Sequence, residues 1–363
     1  MPSYRSFPAV LACAMLLCGT ATPQTQQTPP QEAKPANQDE PSTRIRVSVN
    51  EVVVPVTVTD DKGKFVSNLV AKDFRILDEG RPQHIEFFSH AEKQPVVVGF
   101  LVDLSNSSRV HWAKYEEAIE ELVLDLLPGD PRYAGYLIGY SSDAELAVNT
   151  TSDPEKIVDR VRKMKPGGGA ALFDAIYKSC TTRSLIHGEP FEPRRVIIII
   201  GDGHDSASKH TEQEVLELAQ RNMVTIFGMS TTAFGFANED RDILERLTTR
   251  TGGHVEYPLD NPYKDVSGYL SNPQDAGNFA LTVGTGAYAA QLSAGILKSV
   301  SSLLGEITTQ YVLRFVPEID QDYKPKVFRN IKVEVPSLPT VRIHARDGYY
   351  PAPVPASAPS GGQ

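Results

Sequence analysis

Cysteine is scarce in this sequence, with three among 363 residues. Cys13 and Cys18 lie in the first 21 residues, which have the pattern of a cleaved export signal, so a mature chain would keep Cys180 alone. A single thiol excludes an internal disulfide, and the fold must therefore be held by its hydrophobic core. The length and the hydrophobic content of 40% favour a large core and about two domains.

An excess of positive charge is also lacking, because the formal net charge is −9 at pH 7. Nucleic-acid-binding proteins present a basic face, so the composition argues against a nucleic-acid partner. The apolar run at residues 7–18 is shorter than the roughly 20 residues that a membrane-spanning helix needs. We therefore expect no transmembrane span in the mature chain.

Residues 1–21 predict export. Arg5 precedes the apolar run, and the small residues Gly19, Thr20 and Ala21 follow it, which is the order of a secretory signal peptide cut after Ala21. We expect a periplasmic, outer-envelope or secreted protein. Lipid attachment at Cys13 is the alternative, but the apolar run continues beyond this residue, where a lipid-anchored chain should become polar.

The rest of the chain changes character several times, and these changes predict its domains. Residues 22–43 are rich in Gln and Pro and indicate a disordered linker. Residues 44–93 and 309–350 contain alternating apolar positions typical of half-buried strands, whereas residues 94–308 alternate strands with amphipathic helices. Each flank has too few strands to fold alone, so we predict one small antiparallel β-sandwich domain, with the α/β domain inserted in it or flanked by it. Residues 351–363 form a disordered tail rich in Pro, Ala and Ser.

Within the α/β domain, two runs, residues 96–102 and 195–200, are almost wholly apolar. Such runs are typical of strands that are buried on both faces in a parallel sheet. Residues 144–148 follow a short turn and predict an antiparallel edge strand. Residues 258–286 are rich in Asn, Gly and Pro and predict a long irregular loop.

Polar side chains follow both apolar strands. Asp103, Ser105 and Ser107 alternate after the first strand, and Asp202 follows the second. Ligands of open α/β sheets bind at the carboxyl ends of the strands, and oxygen ligands suit a hard divalent cation. The plainer alternative is an Asx or Ser turn that leads into a helix cap.

At these residues the chain resembles the von Willebrand factor type A (VWA) domain. The resemblance covers about residues 95–306 and is carried by Asp103-x-Ser105-x-Ser107, by the segment GGAALFDA at 168–175, and by Gly201-Asp202-Gly203 after an apolar strand. The flanking motifs at residues 73–88, 311–313 and 346–350 resemble a secreted acidobacterial subfamily. The family implies a doubly wound, mostly parallel, Rossmann-like six-stranded sheet with one antiparallel edge strand.

The resemblance also implies a metal-ion-dependent adhesion site for Mg²⁺ or Mn²⁺. Asp103, Ser105 and Ser107 would occupy one side of the cation, and Asp202 would bind directly or through water. A water or a carboxylate of a protein or peptide partner would fill the open position. The family normally supplies a Thr hydroxyl where this chain has Ala170. A water or neighbouring backbone would have to replace it, or else the site would be a metal-free scaffold.

Further residues lie in the same loops. Gly169, Ala170, Asp174 and Asp205 are predicted at the rim, where the two carboxylates would orient hydroxyls or waters. They are equally well explained as surface residues near helix starts. The spacing of the histidines at 111, 204 and 210 matches no zinc motif.

Three functions are compatible with these observations. The first is an exported binding protein that mediates protein interaction or adhesion through the cation. The second is a metal-free envelope scaffold, and the third, which we favour least, is a metal-dependent hydrolase. The sequence offers no Gly-x-Ser-x-Gly motif and no histidine placed to activate Ser105 or Ser107. We therefore expect no enzymatic activity.

Overall fold

A six-stranded sheet occupies the centre of the computed structural model, which describes residues 51–182, 185, 193–231, 239–258, 286–318 and 327–351. The described strands are β1 (Val52–Thr59), β2 (Arg75–Asp78), β3 (Arg81–Gln83), β4 (Phe87–His90), β5 (Val96–Asp103), β6 (Tyr133–Tyr140), β7 (Ala144–Thr151), β8 (Arg194–Gly201), β9 (Val224–Ser230), β10 (Val255–Glu256), β11 (Tyr311–Phe315), β12 (Arg329–Glu334), β13 (Arg342–Ala345) and β14 (Gly348–Tyr349). The described helices are α1 (Trp112–Leu126), α2 (Pro154–Val161), α3 (Leu172–Thr181), α4 (Glu212–Arg221), α5 (Glu239–Thr249) and α6 (Gly286–Thr309).

The central sheet has the order β10-β9-β8-β5-β6-β7. All its neighbouring strands are parallel except β6 and β7, which pair antiparallel at one edge. Because β5 is buried along its whole length, alternate side chains enter two different cores. Val98 and Phe100 pack with α1, α2 and α6, whereas Val97 and Leu101 pack with α3, α4 and α5. This is the predicted doubly wound sheet with an antiparallel edge strand.

Two four-stranded antiparallel sheets accompany it. Their orders are β13-β1-β11-β4 and β14-β12-β2-β3, so each combines strands from before and after the α/β segment. A third core, which includes Val54, Ile76, Leu313 and Val333, lies between these sheets. The predicted fold class is therefore confirmed. The shared sheets support the predicted domain boundaries at residues 94 and 308, which stay predictions.

A buried ion pair joins the two flanks. Asp78, at the end of β2, is wholly buried and accepts hydrogen bonds from Arg329 Nε at 3.0 Å and Nη2 at 2.9 Å. The hydroxyl of Tyr349 on β14 donates to the same carboxylate at 3.1 Å. All donors come from the C-terminal flank, so the carboxylate of one flank neutralises and orients the side chains of the other.

Some local predictions need adjustment. The alternating residues at 85–88 suggest a hairpin with 74–77, but β2 pairs with β3 instead, and β4 pairs with β11 in the other sheet. Helix α3 begins at Leu172 and not at Ala170, which stays in the preceding loop. The export signal, the linker, the tail and almost all of the loop at 258–286 lie outside the described residues.

Two predictions from the composition concern the described part of the chain. None of its helices combines the length and the apolar character required to cross a membrane. Cys180 is a buried free thiol on α3, and burial raises its pKa to about 12. This thiol is therefore an inert part of the core.

Candidate functional site

The candidate site lies where the neighbouring central strands β5 and β8 end. In the paired register, Asp103 lies beside Tyr140 on one neighbour, and Val102 lies beside Ile200 on the other. Asp103 and Asp202 therefore project from adjacent strands at the same edge of the sheet. Gly201 between them has no room for a side chain, because a Cβ there would collide with the Tyr140 hydroxyl and lie 2.9 Å from the Asp103 Cβ.

The predicted ligand residues form a continuous hydrogen-bonded chain. The backbone N–H of Ser105 donates to Asp103 Oδ1 at 2.7 Å, which turns the loop back over the strand end. The hydroxyls of Ser105 and Ser107 lie 2.8 Å apart, and Ser107 donates to Asp202 Oδ2 at 2.9 Å. The structure thus brings Asp103, Ser105, Ser107 and Asp202 together, although 95 residues separate the last two.

The four residues of this group differ in how deeply they are buried. Asp103 is 2% exposed and Ser105 is 5% exposed, whereas Asp202 is half-buried and Ser107 is exposed. Burial, followed by the charge of Asp202, raises the pKa of Asp103 to about 6. Its Oδ2 atom is buried and has no hydrogen-bond partner within the described part of the chain. A buried carboxylate oxygen is seldom left in that state, because its lost hydration must be compensated.

The glycine-rich loop is fixed against the loop that follows β5. The N–H of Asn106 donates to Gly168 O at 3.2 Å, and the N–H of Gly167 donates to Leu104 O at 2.6 Å. Arg109 also donates to Pro166 O at 3.1 Å. These bonds hold the predicted rim loops side by side.

Ala170 brings no side-chain oxygen to this rim. It is wholly buried, its N–H donates to Ser206 Oγ at 3.1 Å, and its carbonyl accepts from the N–H groups of Ser206 and Ala207. The neighbouring Gly169 N–H donates to Ser142 Oγ at 3.1 Å. Ser142 and Ser206 are thus two hydroxyls beside the loop that the sequence patterns missed, because neither belongs to a recognised motif.

Asp174 and Asp205 hold the loop after β8 against the start of α3. Asp205 accepts from the N–H of Phe173 at 3.0 Å and from the hydroxyl of Ser208. Asp174 accepts from the N–H of Lys209 at 3.0 Å and bonds the ring of His210 at 2.7 Å. These bonds set the backbone of the rim, which is a plainer role than the predicted orientation of hydroxyls or waters behind a cation.

The donor set at the rim fits a hard divalent cation. Two carboxylates and two hydroxyls converge there, and the buried carboxylate of Asp103 lies beside the negative charge of Asp202. Mg²⁺ prefers oxygen ligands and usually retains several waters, so an incomplete protein shell is acceptable to it. Asp103, Ser105, Ser107 and Asp202 are the residues that would hold the ion, and the methyl group of Ala170 replaces one expected donor.

A second group was not found from the sequence. His254, Glu306 and His344 come from three separate parts of the chain and bring one ligand-type atom each to within 4.8 Å of the others. Their separations of 52 and 38 residues match no short metal motif, so no spacing pattern could have identified them.

Comparison with known proteins identifies the central segment. Residues 98–264 match the family model of the von Willebrand factor type A domain. No curated protein matches the sequence.

Solved structures include similar chains. The conserved hypothetical protein BatB from Bacteroides thetaiotaomicron is 22% identical over 37% of this chain and 66% of that chain, with a TM-score of 0.30. An aerotolerance-related membrane protein from Bacteroides fragilis is 16% identical over 57% of this chain and 98% of that chain, with a TM-score of 0.35. The vWF domain of the type V pili tip protein Mfa5 from Porphyromonas gingivalis is 18% identical over 31% of this chain and 39% of that chain, with a TM-score of 0.28. This chain thus spans just under two thirds of the BatB chain.

Proposed function

Because residues 98–264 form a VWA domain, a module generally involved in protein–protein interaction or adhesion, we propose that this protein is an exported binding protein. It captures a protein or peptide partner at the rim formed by Asp103, Ser105, Ser107 and Asp202, with a divalent cation between protein and partner. The signal-like composition of residues 1–21 supports export.

The observation that carries this proposal is the state of Asp103. Its carboxylate is buried beside a second carboxylate, and its Oδ2 atom has no hydrogen-bond partner among the described residues. A pure scaffold gains nothing from two acidic groups at one strand edge, since their repulsion is unfavourable. A cation removes this cost.

The gradient of burial explains how a partner reaches the site. Asp103 forms the buried base, and Ser107 lies at the exposed margin, so the side that faces solvent is the side open to a ligand. When bound, Mg²⁺ or Mn²⁺ supplies positive charge and a coordination position that a carboxylate of the partner can take. The hydrogen-bonded loops keep the rim in place before binding.

Ala170 makes the site weak. A buried methyl group stands where a hydroxyl would add one ligand, so the protein shell holds the cation through fewer oxygens. Restoring an oxygen should tighten binding. Ala170→Ser adds a single atom at a wholly buried position, whereas Ala170→Thr also adds a methyl group and risks overpacking.

A thermal-shift titration with Mg²⁺, Mn²⁺ and Ca²⁺ tests the proposal. The stabilisation follows RT ln(1 + [L]/Kd), so the wild type should respond only at high metal concentration. Asp103→Ala should abolish the response, and Ala170→Ser or Ala170→Thr should move it to concentrations about tenfold lower. Ala171→Ser, at an equally buried neighbour, is the matched control and should leave the wild-type response unchanged.

If neither the wild type nor the Ala170 variants respond to any of the three metals, the rim is a metal-free scaffold and the proposal fails. Partner capture from an envelope extract, with and without chelator, then examines the binding role. Retention that persists in chelator would argue against a cation between the protein and its partner.

A further inference from the structure

A cluster of ligand-type side chains lies at the contact between the central sheet and an antiparallel sheet. His254 directly precedes β10, Glu306 lies near the end of α6, and His344 is in β13. One nitrogen or oxygen atom of each lies within 4.8 Å of the others. The backbone of His254 is fixed to β9, because its carbonyl accepts from the N–H of Gly228 at 2.9 Å.

The buried carboxylate of Glu306 faces the ring nitrogens of both histidines. Glu306 is 1% exposed, and its Oε1 atom has no hydrogen-bond partner within the described ranges. His254 Nδ1 forms an ion pair with the other carboxylate oxygen, Glu306 Oε2, and His344 Nδ1 faces Oε1. The distance from His344 Nδ1 to Glu306 Oε1 is 3.5 Å. A buried carboxylate in this setting requires a positive partner.

The far side of the His254 ring is held by another carboxylate. His254 Nε2 lies 2.8 Å from Glu256 Oε1, and Ser299 donates to Glu256 Oε2 at 3.4 Å. This bond assigns a proton to Nε2, so in the neutral ring the Nδ1 lone pair faces the Glu306 carboxylate. A carboxylate behind the ring is the usual arrangement of a metal-bound histidine, where it fixes both the tautomer and the ring orientation.

We propose that His254, Glu306 and His344 bind a divalent cation of the zinc class. Two imidazole nitrogens and one carboxylate oxygen suit Zn²⁺ and not Mg²⁺, and three protein ligands leave a fourth position for water. Ligand bonds of about 2.0–2.2 Å require the three atoms to move somewhat closer together. The His344 side chain, which is 40% exposed, has the freedom to make this movement. The ion would join α6 and the edge of the central sheet to β13.

A proton is the competing occupant. Burial lowers the pKa of His254, but its bonds to Glu256 and Glu306 outweigh this effect and raise the pKa to about 10. With protons alone, the cluster is a set of ion pairs and takes up no metal. Zinc binding therefore distinguishes the two occupants directly.

The experiment uses the full chain carrying Asp103→Ala, so that the rim contributes nothing, with any histidine tag removed. After dialysis against chelator, Zn²⁺ is titrated in competition with a chromophoric chelator, and Co²⁺ is titrated with detection of visible absorption. We expect one Zn²⁺ per chain. Adding His344→Ala should weaken zinc binding at least 100-fold, and adding Glu256→Gln should weaken it about 10- to 100-fold.

His84→Ala, which removes an exposed imidazole elsewhere, is the control and should leave zinc binding unchanged. Absence of zinc binding to the Asp103→Ala protein, or binding that His344→Ala does not weaken, overturns the proposal. Because the His344 side chain is 40% exposed, we expect the variant to fold, and its circular dichroism spectrum checks this. Neither outcome tests the proposed cation site at the rim. That site requires Asp103, and it is tested separately by the thermal-shift titration with Mg²⁺, Mn²⁺ and Ca²⁺.

Discussion

Asp103 lies in an environment that disfavours its negative charge. Its pKa is about 6 in the folded chain, against 3.8 as the ordinary value, because burial and then Asp202 disfavour the carboxylate. The folded state therefore binds this proton more tightly than the unfolded state does. The contribution of this proton to the free energy of unfolding is fully present below pH 3.8 and is lost as the pH rises through about 6.

Asp103→Asn should therefore stabilise the metal-free protein at neutral pH. The amide keeps the acceptor for the Ser105 N–H and carries no charge. A shift of about two pKa units corresponds to about 3 kcal/mol at most, so we expect a gain of about 1–3 kcal/mol at pH 7.5 that shrinks towards pH 4.5. Urea denaturation in chelator measures it. Asp143→Asn, in an exposed turn, is the control, and a gain for Asp103→Asn that does not depend on pH would contradict the argument.

At the scale of elements, β2 and β12 are joined by the buried pair of Asp78 and Arg329. Asp78→Ala would remove the buried carboxylate that accepts hydrogen bonds from Arg329, at a cost of about 3–5 kcal/mol. Arg75→Ala on the same strand is the matched control. Its pair with Glu334 is 3.8 Å long and largely exposed, so we expect its loss to cost about 1 kcal/mol or less. Equal effects of the two substitutions on the free energy of unfolding would refute this assignment.

The elements of the central sheet could be predicted because each has a strong local signal. The apolar runs at residues 96–102 of β5 and 196–200 of β8 predict buried strands, and Asp153 with Pro154 correctly predicts the start of α2. Pairing in the antiparallel sheets could not be predicted in the same way. The strand β3 contains Arg81, Pro82 and Gln83, which lack an apolar pattern, so its pairing with β2 leaves no hydrophobic signature.

The part of the candidate site that lies at the ends of strands could be predicted from the sequence. Asp103 and Asp202 belong together because parallel strands end at one edge, and the motif marks both of them. The bonds of Asp174 and Asp205 to loop backbone depend on how residues 205–210 fold, which no spacing reveals. The cluster of His254, Glu306 and His344 depends on how the antiparallel strands pack against α6, and this is a property of the tertiary structure.

On the scale of the whole molecule, the two flanks depend on each other. In the described structure β1 pairs with β11 and β13, and β4 pairs with β11, so the N-terminal flank supplies no neighbouring strand for β1 or for β4. We predict that residues 44–93 alone do not fold. The chain with residues 95–309 replaced by a short linker should fold, at reduced stability, because Arg250 and Gln220 of the excised segment no longer bond Asp347.

Circular dichroism followed during heating shows whether residues 44–93 and the shortened chain unfold cooperatively. The shortened chain should show one cooperative transition, and residues 44–93 should show none. The C-terminal flank alone, residues 309–350, is the matched control and should also show no transition. A cooperative transition from residues 44–93 by themselves would mean that the flanks are not halves of one domain.

The pairing of His90 with Tyr311 has a kinetic consequence. These partners are separated by about 220 residues, and closing an unstructured loop of that length costs about 5 kcal/mol through the term that grows with loop length. A folded α/β domain removes this cost, since it delivers both ends of the segment to neighbouring positions. During folding, β1 and β4 must therefore wait without their neighbouring strands until the middle of the chain has folded and the last strands are available. The final assembly step is the closure of the antiparallel sheets, and the apolar strand β1 is the segment that a chaperone has to protect until then.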